Sequence, residues 1–350
     1  MNEQISQGLV KLGLGIYKII NDLSPREISL IINDEELSCV QSYKKLNFKT
    51  FELLNKELFS KRPEIELRMY SGFGDKDIFD LKFLELMPNL VKFSVDNVQN
   101  VKNIEYISRL TKLKSLKLGI YNLDSFEILE CLPSSLEKII LEKTKSKKLD
   151  LKSLKNFVNL KSIYIESHTK NIEVLNELTN LEDVTLRSVS LDNLSCIRSL
   201  KNLKSLNIKL GHIKDFSAIE HFKNLEYIEL WQIRGLFNLS FISQLTGLKK
   251  LFLQSLNNIT RFPELNNLEK LNWILLDNMK NLNDFSSLEF APALNEFTQY
   301  SANGKIINQY IPLLKNPSLR ELLIGFGSDK RNREFEELAK KYGKHNQIKI

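Results

Sequence analysis

Catalysis usually leaves reactive residue types at short spacings, and this chain carries few such arrangements. Its histidines are His168, His212, His221 and His345. None stands in an HExxH run, which would set two imidazoles on one helical face around zinc, and no cysteine pair completes a tetrahedral site. Cys39, Cys131 and Cys196 are scattered, with no CxxC spacing. Neither GxxxxGK[ST] nor GxGxxG occurs, so no glycine loop is set to cradle a phosphate. Ser71-Gly72-Phe73-Gly74-Asp75 and Gly325-Phe326-Gly327-Ser328-Asp329 echo each other, and turn glycines account for both. The sequence predicts no enzyme, no metal site and no cofactor.

What is concentrated is the chemistry of recognition. Tyr227, Glu229 and Trp231 alternate along the chain, which puts all three on one face of a strand. Phe252 and Gln254 take equivalent places one repeat later, Arg187 and Lys209 in the two repeats before, and Tyr164 further upstream. Displayed aromatic rings with a neighbouring arginine are the composition of a binding hot spot. Three such rings bury roughly 450–750 Å², close to the ~800 Å² per partner of a standard interface.

These residues are positioned by a repeat. A leucine is followed three residues on by an apolar residue, and two further on by another. The series runs through Leu90, Leu113, Leu136, Leu160, Leu181, Leu203, Leu225, Leu248, Leu268, Leu294 and Leu319. Steps of 20 to 26 residues between these leucines mean a stack of short units sharing one core. Each LxxLxL segment reads as a strand, with the third and fifth residues after the leucine inward and the second, fourth and sixth outward. Apolar residues at every third position afterwards, as in Phe216-Ile219-Phe222-Leu225, suit short 3₁₀ turns on the return.

The repeats resemble leucine-rich repeats of the short type found in internalins and phosphatase-regulating relatives. Leu203-Lys204-Ser205-Leu206-Asn207-Ile208, followed by Ile213, Asp215, Ile219, Phe222 and Leu225, matches best. The resemblance implies a curved solenoid with a concave parallel sheet, convex short helices and 3₁₀ turns, and protein binding through the sheet. One column departs from the pattern. Such repeats usually carry Asn eight residues after the first leucine, to satisfy backbone groups at the turn. Here that column reads Val98, Tyr121, Thr144, His168, Val189, Gly211, Ile233, Leu256 and Leu276. Irregular strand exits with other backbone partners are expected.

Residues 1–62 read as an N-terminal cap, 63–325 as the repeats and 326–350 as a C-terminal cap. Ile5, Leu9, Leu12, Ile16, Ile19 and Leu23 recur at helical steps, predicting a capping helix that could also mediate dimerisation of an otherwise monomeric chain. Glu27–Ile32 reads as a strand, Thr50–Phe59 as a helix, Ile65–Met69 as an irregular first strand and Asn332–Tyr342 as a capping helix.

The net charge of +7 admits nucleic acid, an anionic membrane or an acidic protein as partner. The outward columns carry seven basic and seven acidic residues, whereas a nucleic-acid groove is strongly single-signed. Nucleic acid is therefore disfavoured. Lys143, Lys145, Lys147, Lys148, Lys152 and Lys155 form a basic edge that keeps a nucleic-acid or membrane-surface alternative open. A second basic group, from Lys330 to Lys344, reads as a charged cap face. No stretch is long enough to span a membrane. Cys131 and Cys196 fall in apolar return segments, as buried free thiols of a reducing compartment do. With no basic segment ahead of the first apolar run, a cytoplasmic protein is expected. The expected function is a non-enzymatic module that binds a protein, as an immunity, defence or adaptor component or as a regulatory subunit of an enzyme.

Overall fold

Alternating leucines build the sheet. The computed structural model describes residues 3–71 and 78–348, so the glycine turn beginning at Gly72 lies outside the described residues. The chain divides into two compact units, Met1–Val174 and Leu175–Ile350.

In the second unit, the strands Asp183–Arg187, Ser205–Lys209, Tyr227–Trp231, Lys250–Gln254, Trp273–Asp277, Glu296–Tyr300 and Glu321–Ile324 pair in parallel and in register. Their inward residues, such as Leu206, Ile228, Leu251, Ile274 and Phe297, are at most 1% exposed. The chain returns through short 3₁₀ turns, among them Ser217–Ile219, Ser240–Gln244 and Ser286–Phe290. Phenylalanines entering these turns stack between repeats: Phe216 on Phe241 at 4.8 Å, Phe285 on Tyr310 at 4.6 Å. The helix Asp329–Lys341 closes the core with Phe335 and Ala339. The Asn346 side chain completes the last strand edge. Its amide donates to the Ile324 carbonyl at 3.0 Å and its oxygen accepts from the Ile324 N–H at 2.8 Å.

One repeat is framed differently from the sequence expectation. Trp273–Asp277 pairs with Lys250–Gln254, so the strand leucine is Leu271, followed by Ile274 and Leu276. Leu268 instead ends the return turn, where the Leu271 N–H donates to its carbonyl at 3.1 Å. Apolar residues recur every third position on the return, so the pattern fits two frames where return meets strand. The steps on either side of Leu271 become 23 residues each.

In the first unit, the strands Ile16–Ile19, Cys39–Ser42, Glu66–Tyr70, Lys92–Val98, Ser115–Ile120, Lys138–Leu141 and Ser162–Glu166 form a parallel ladder. The expected N-terminal helix is absent. Leu9–Gly13 and Ile16–Ile19 are an antiparallel hairpin, and the segment offers no helical face for dimerisation. Its turn runs through Gly13, Leu14 and Gly15, all at positive φ. A Cβ on Gly15 would lie 1.8 Å from the Glu36 carbonyl oxygen, so only glycine fits. The segment expected as a strand is the helix Pro25–Ile31. Ser24 and Glu27 form a reciprocal capping box at its start, with Pro25 in the first turn. The expected helix near Thr50 is present as Phe48–Leu53, continued by a wider turn over Leu54–Phe59. Cys39 and Cys196 are buried, but Cys131 is exposed, because it ends a turn whose inward residue is Leu129.

Irregular strand exits are expected from the sequence; the pairing after Val95 is irregular, but eight exits share one conformation. Asn97, Ser167, Ser188, Leu210, Gln232, Ser255, Asn278 and Ser301 each stand seven residues after the strand leucine, with φ between 50° and 71°. Such backbone costs a non-glycine residue about 1–2 kcal/mol. Neighbouring strands hold it in place: the Leu210 N–H donates to the Trp231 carbonyl and the Gln232 N–H to the Gln254 carbonyl, both at 2.8 Å. The following residue then turns inward, so Val189, Ile233, Leu256 and Met279 fill the column usually held by Asn and are at most 4% exposed. Asparagine serves at the other end of the repeat. Asn159, Asn202 and Asn224, each just before a strand leucine, donate to Ser134, Thr179 and Lys201 carbonyls at 2.9–3.3 Å.

Candidate interaction surface

On the second unit's strands the outward side chains form three rows. Tyr227, Lys250, Trp273, Glu296 and Glu321 align in one, Glu229, Phe252, Leu275 and Thr298 in the next, and Arg187, Lys209, Trp231, Gln254, Asp277 and Tyr300 in the third. The parallel register makes this alignment, since neighbouring strands lie about 4.8 Å apart.

Seven of the eight residues singled out from sequence share this face: Arg187, Lys209, Tyr227, Glu229, Trp231, Phe252 and Gln254. Tyr164 belongs to the first unit, where its hydroxyl donates to Glu166 at 3.3 Å. The frame correction changes the membership. Lys270, Asn272 and Ile274 leave the outward columns and Trp273, Leu275 and Asp277 enter. Counted from Leu268, Trp273 falls at the last inward position of its repeat, which hides it from the sequence pattern. Its regular 23-residue offset from Lys250 is the signal that could have placed it.

The rings are half-buried and held by polar neighbours. The Arg187 guanidinium lies over Trp231 at 5.4 Å and the Lys250 ammonium over Trp273 at 5.9 Å. Both are cation–aromatic pairs. Lys209 pairs with Glu229 at 2.7 Å, and Glu229 is only 7% exposed. The Tyr227 hydroxyl also reaches Glu229, at 3.4 Å. Burial, with the adjacent Glu229 carboxylate, raises the Tyr227 hydroxyl above its ordinary pKa, keeping it a neutral donor. The Trp273 indole N–H donates to Glu296 at 2.9 Å, and Gln254 donates to Asp277 at 2.8 Å. This surface presents apolar area at fixed orientations.

The first unit's outward residues differ. Asp96, 6% exposed, is paired with Arg68 and with Lys117 at 2.9 Å, and Lys117 reaches Glu142 at 2.8 Å. Burial pushes the Asp96 carboxyl up, but Lys117 and Arg68 outweigh it and hold the group below the ordinary value. For Glu142 burial wins over Lys117, and its carboxyl is raised. Lys143, Lys145, Lys147, Lys148, Lys152 and Lys155 are all exposed, and none is ion-paired among the described residues.

No family model and no curated protein matches this sequence. Among solved structures, an internalin (inlF) from Listeria monocytogenes is similar with a TM-score of 0.59 at 19% identity, over 90% of this chain and 88% of that one. Internalin C2 from Listeria monocytogenes gives a TM-score of 0.43 at 21% identity, over 56% and 84% of the two chains. The TLR13–ssRNA13 complex gives 0.45 at 18% identity, over 87% and 56%. Only the first is close enough to bear on the fold, and it has the repeat architecture derived above. The chain has a leucine-rich-repeat fold.

Proposed function

We propose that the chain is a non-enzymatic interaction module that binds a protein partner through the strand face of its second unit, as an immunity, defence or regulatory component. The observation that carries this is the set of rings displayed together at Tyr227, Trp231, Phe252 and Trp273, with Arg187 laid on Trp231. Interfaces concentrate their energy in such aromatic and arginine anchors. Co-purification with the full chain identifies the partner, and calorimetry with that partner tests the surface. Joint Trp231→Ala and Phe252→Ala substitution is expected to remove measurable binding while the melting temperature stays near that of the parent. Full affinity in this variant would move the site elsewhere.

A second reading rests on the six exposed lysines from Lys143 to Lys155. Contact with a nucleic-acid backbone or an anionic membrane there would weaken steeply with added salt through counterion release. Binding centred on rings is expected to depend on salt only weakly. Titrating duplex DNA and phosphatidylserine vesicles at several ionic strengths separates the two.

A further inference from the structure

We infer that the partner presents a cationic stretch of polypeptide, bearing arginine, to the last three strands of this face. The inference deepens the function proposed above and rests on it.

The face's own cations are already engaged. Arg187 lies over Trp231, Lys209 pairs with Glu229, and Lys250 lies over Trp273. Three carboxylates on the last strands, Asp277, Glu296 and Glu321, are not. Asp277 accepts from the neutral groups of Gln254 at 2.8 Å and Ser301 at 3.1 Å. Glu296 accepts from the neutral Trp273 indole, and Glu321 stands exposed. Among the described residues none of the three has an ion pair. With the strand frame in place, the second unit's outward columns carry Arg187, Lys209 and Lys250 against Asp183, Glu229, Asp277, Glu296 and Glu321. The excess of negative charge is gathered where the cations run out.

Register sets rings beside these carboxylates. Asp277 aligns with Tyr300, which is 49% exposed, and Trp273 with Glu296 and then Glu321. Guanidinium suits this alternation, because its flat face stacks on a ring while its edge donates two hydrogen bonds to a carboxylate. A lysine makes only the charge contact. Covering three carboxylates with a neutral partner would strip their water without return, whereas a cation compensates them. The pairs already made by Arg187 and Lys250 show the same chemistry within the chain.

The chain has two tryptophans, Trp231 and Trp273, and both lie on this face, so intrinsic fluorescence reads the site directly. The probe is a short, capped peptide alternating arginine with glycine and leucine, titrated into the full chain beside a matched peptide carrying glutamate. A saturable change is expected with the arginine peptide alone. It should persist in Trp231→Phe, vanish in Trp273→Phe, and weaken about tenfold or more, some 1.4 kcal/mol, in the combined variant Asp277→Asn, Glu296→Gln and Glu321→Gln. No saturable response to the arginine peptide, an equal response to the glutamate peptide, or undiminished affinity in the combined variant would overturn the inference. A signal surviving in Trp273→Phe would overturn its placement. The identified protein partner separates the two levels. If it is lost by the Trp231 and Phe252 variant but bound fully by the carboxylate variant, the surface stands and the cationic inference falls. If both variants bind fully, both fall.

Discussion

The outward columns are filled differently in the two units. In the first, Arg68, Asp96, Lys117 and Glu142 form a chain of ion pairs in which each charge answers another. In the second, the outward rows hold Tyr227, Trp231, Phe252 and Trp273, with cations laid on two of the rings and with Asp277, Glu296 and Glu321 in no ion pair among the described residues. A charge network satisfied within the chain must be stripped of water and partners before it can serve anything else. Rings on a fixed strand give up only water, whose release is favourable. Parallel strands carry both faces, so the difference between them lies in side-chain type.

The sharpest way to break this contrast is at Lys117. Lys117→Met leaves Asp96 and Glu142 without their shared cation and is expected to cost roughly 2–3 kcal/mol of stability, below the range for a fully buried pair because Lys117 is 21% exposed. Urea denaturation measures it, and partner affinity should not change. Trp231→Ala is the mirror experiment. Binding should weaken by about 2 kcal/mol or more, about thirtyfold, with stability changed by under about 1 kcal/mol. If Lys117→Met cost affinity and Trp231→Ala cost only stability, the assignment of the two faces would be reversed.

Smaller effects test the scaffold that both faces share. Asn202→Ala removes one tie between repeats, to the Thr179 carbonyl, and should lower the unfolding free energy by about 1 kcal/mol. His168 is fully buried beside Phe126, with Nε2 at 3.1 Å from the Glu142 carbonyl and Nδ1 unpartnered among the described residues. Burial holds its imidazole below the ordinary 6.5, against the pull of the Glu142 carbonyl and the Glu166 carboxylate. The neutral form is therefore favoured in the fold, and the unfolded chain takes up a proton first. Stability should fall as pH drops below 6.5, through the folded value, and chemical denaturation across that window reads the slope. His168→Asn, which installs the residue usual at this position in such repeats, should flatten it.

Much of this is legible in the sequence. Leucines recurring with a strand's alternation located most of the strands, and the inward residues Leu206, Ile228 and Leu251 are buried as the alternation demands. The grouping of Tyr227, Trp231 and Phe252 followed from the same phase. The misreadings came where two patterns overlap. Leu268, Leu271 and Ile274 satisfy both the return spacing and the strand spacing, so the pattern alone places Trp273 inward. At the N-terminus, apolar residues at steps of three and four suggest a helix, but the paired strands bury Leu9, Tyr17 and Ile19 and leave Leu12 and Ile16 half-exposed.

The sequence by itself determined that a parallel stack would form, because only repetition in phase buries so many leucines in one core. It also determined which residues would be shown in most repeats. Tertiary structure alone decided the frame at Leu271, since a strand's register is settled by hydrogen bonds to its neighbours and not by its own residues. It decided, too, which displayed charges neutralise one another. Lys209 and Glu229 meet, and among the described residues Asp277, Glu296 and Glu321 have no ion pair, a matter of distances across strands that no linear spacing records.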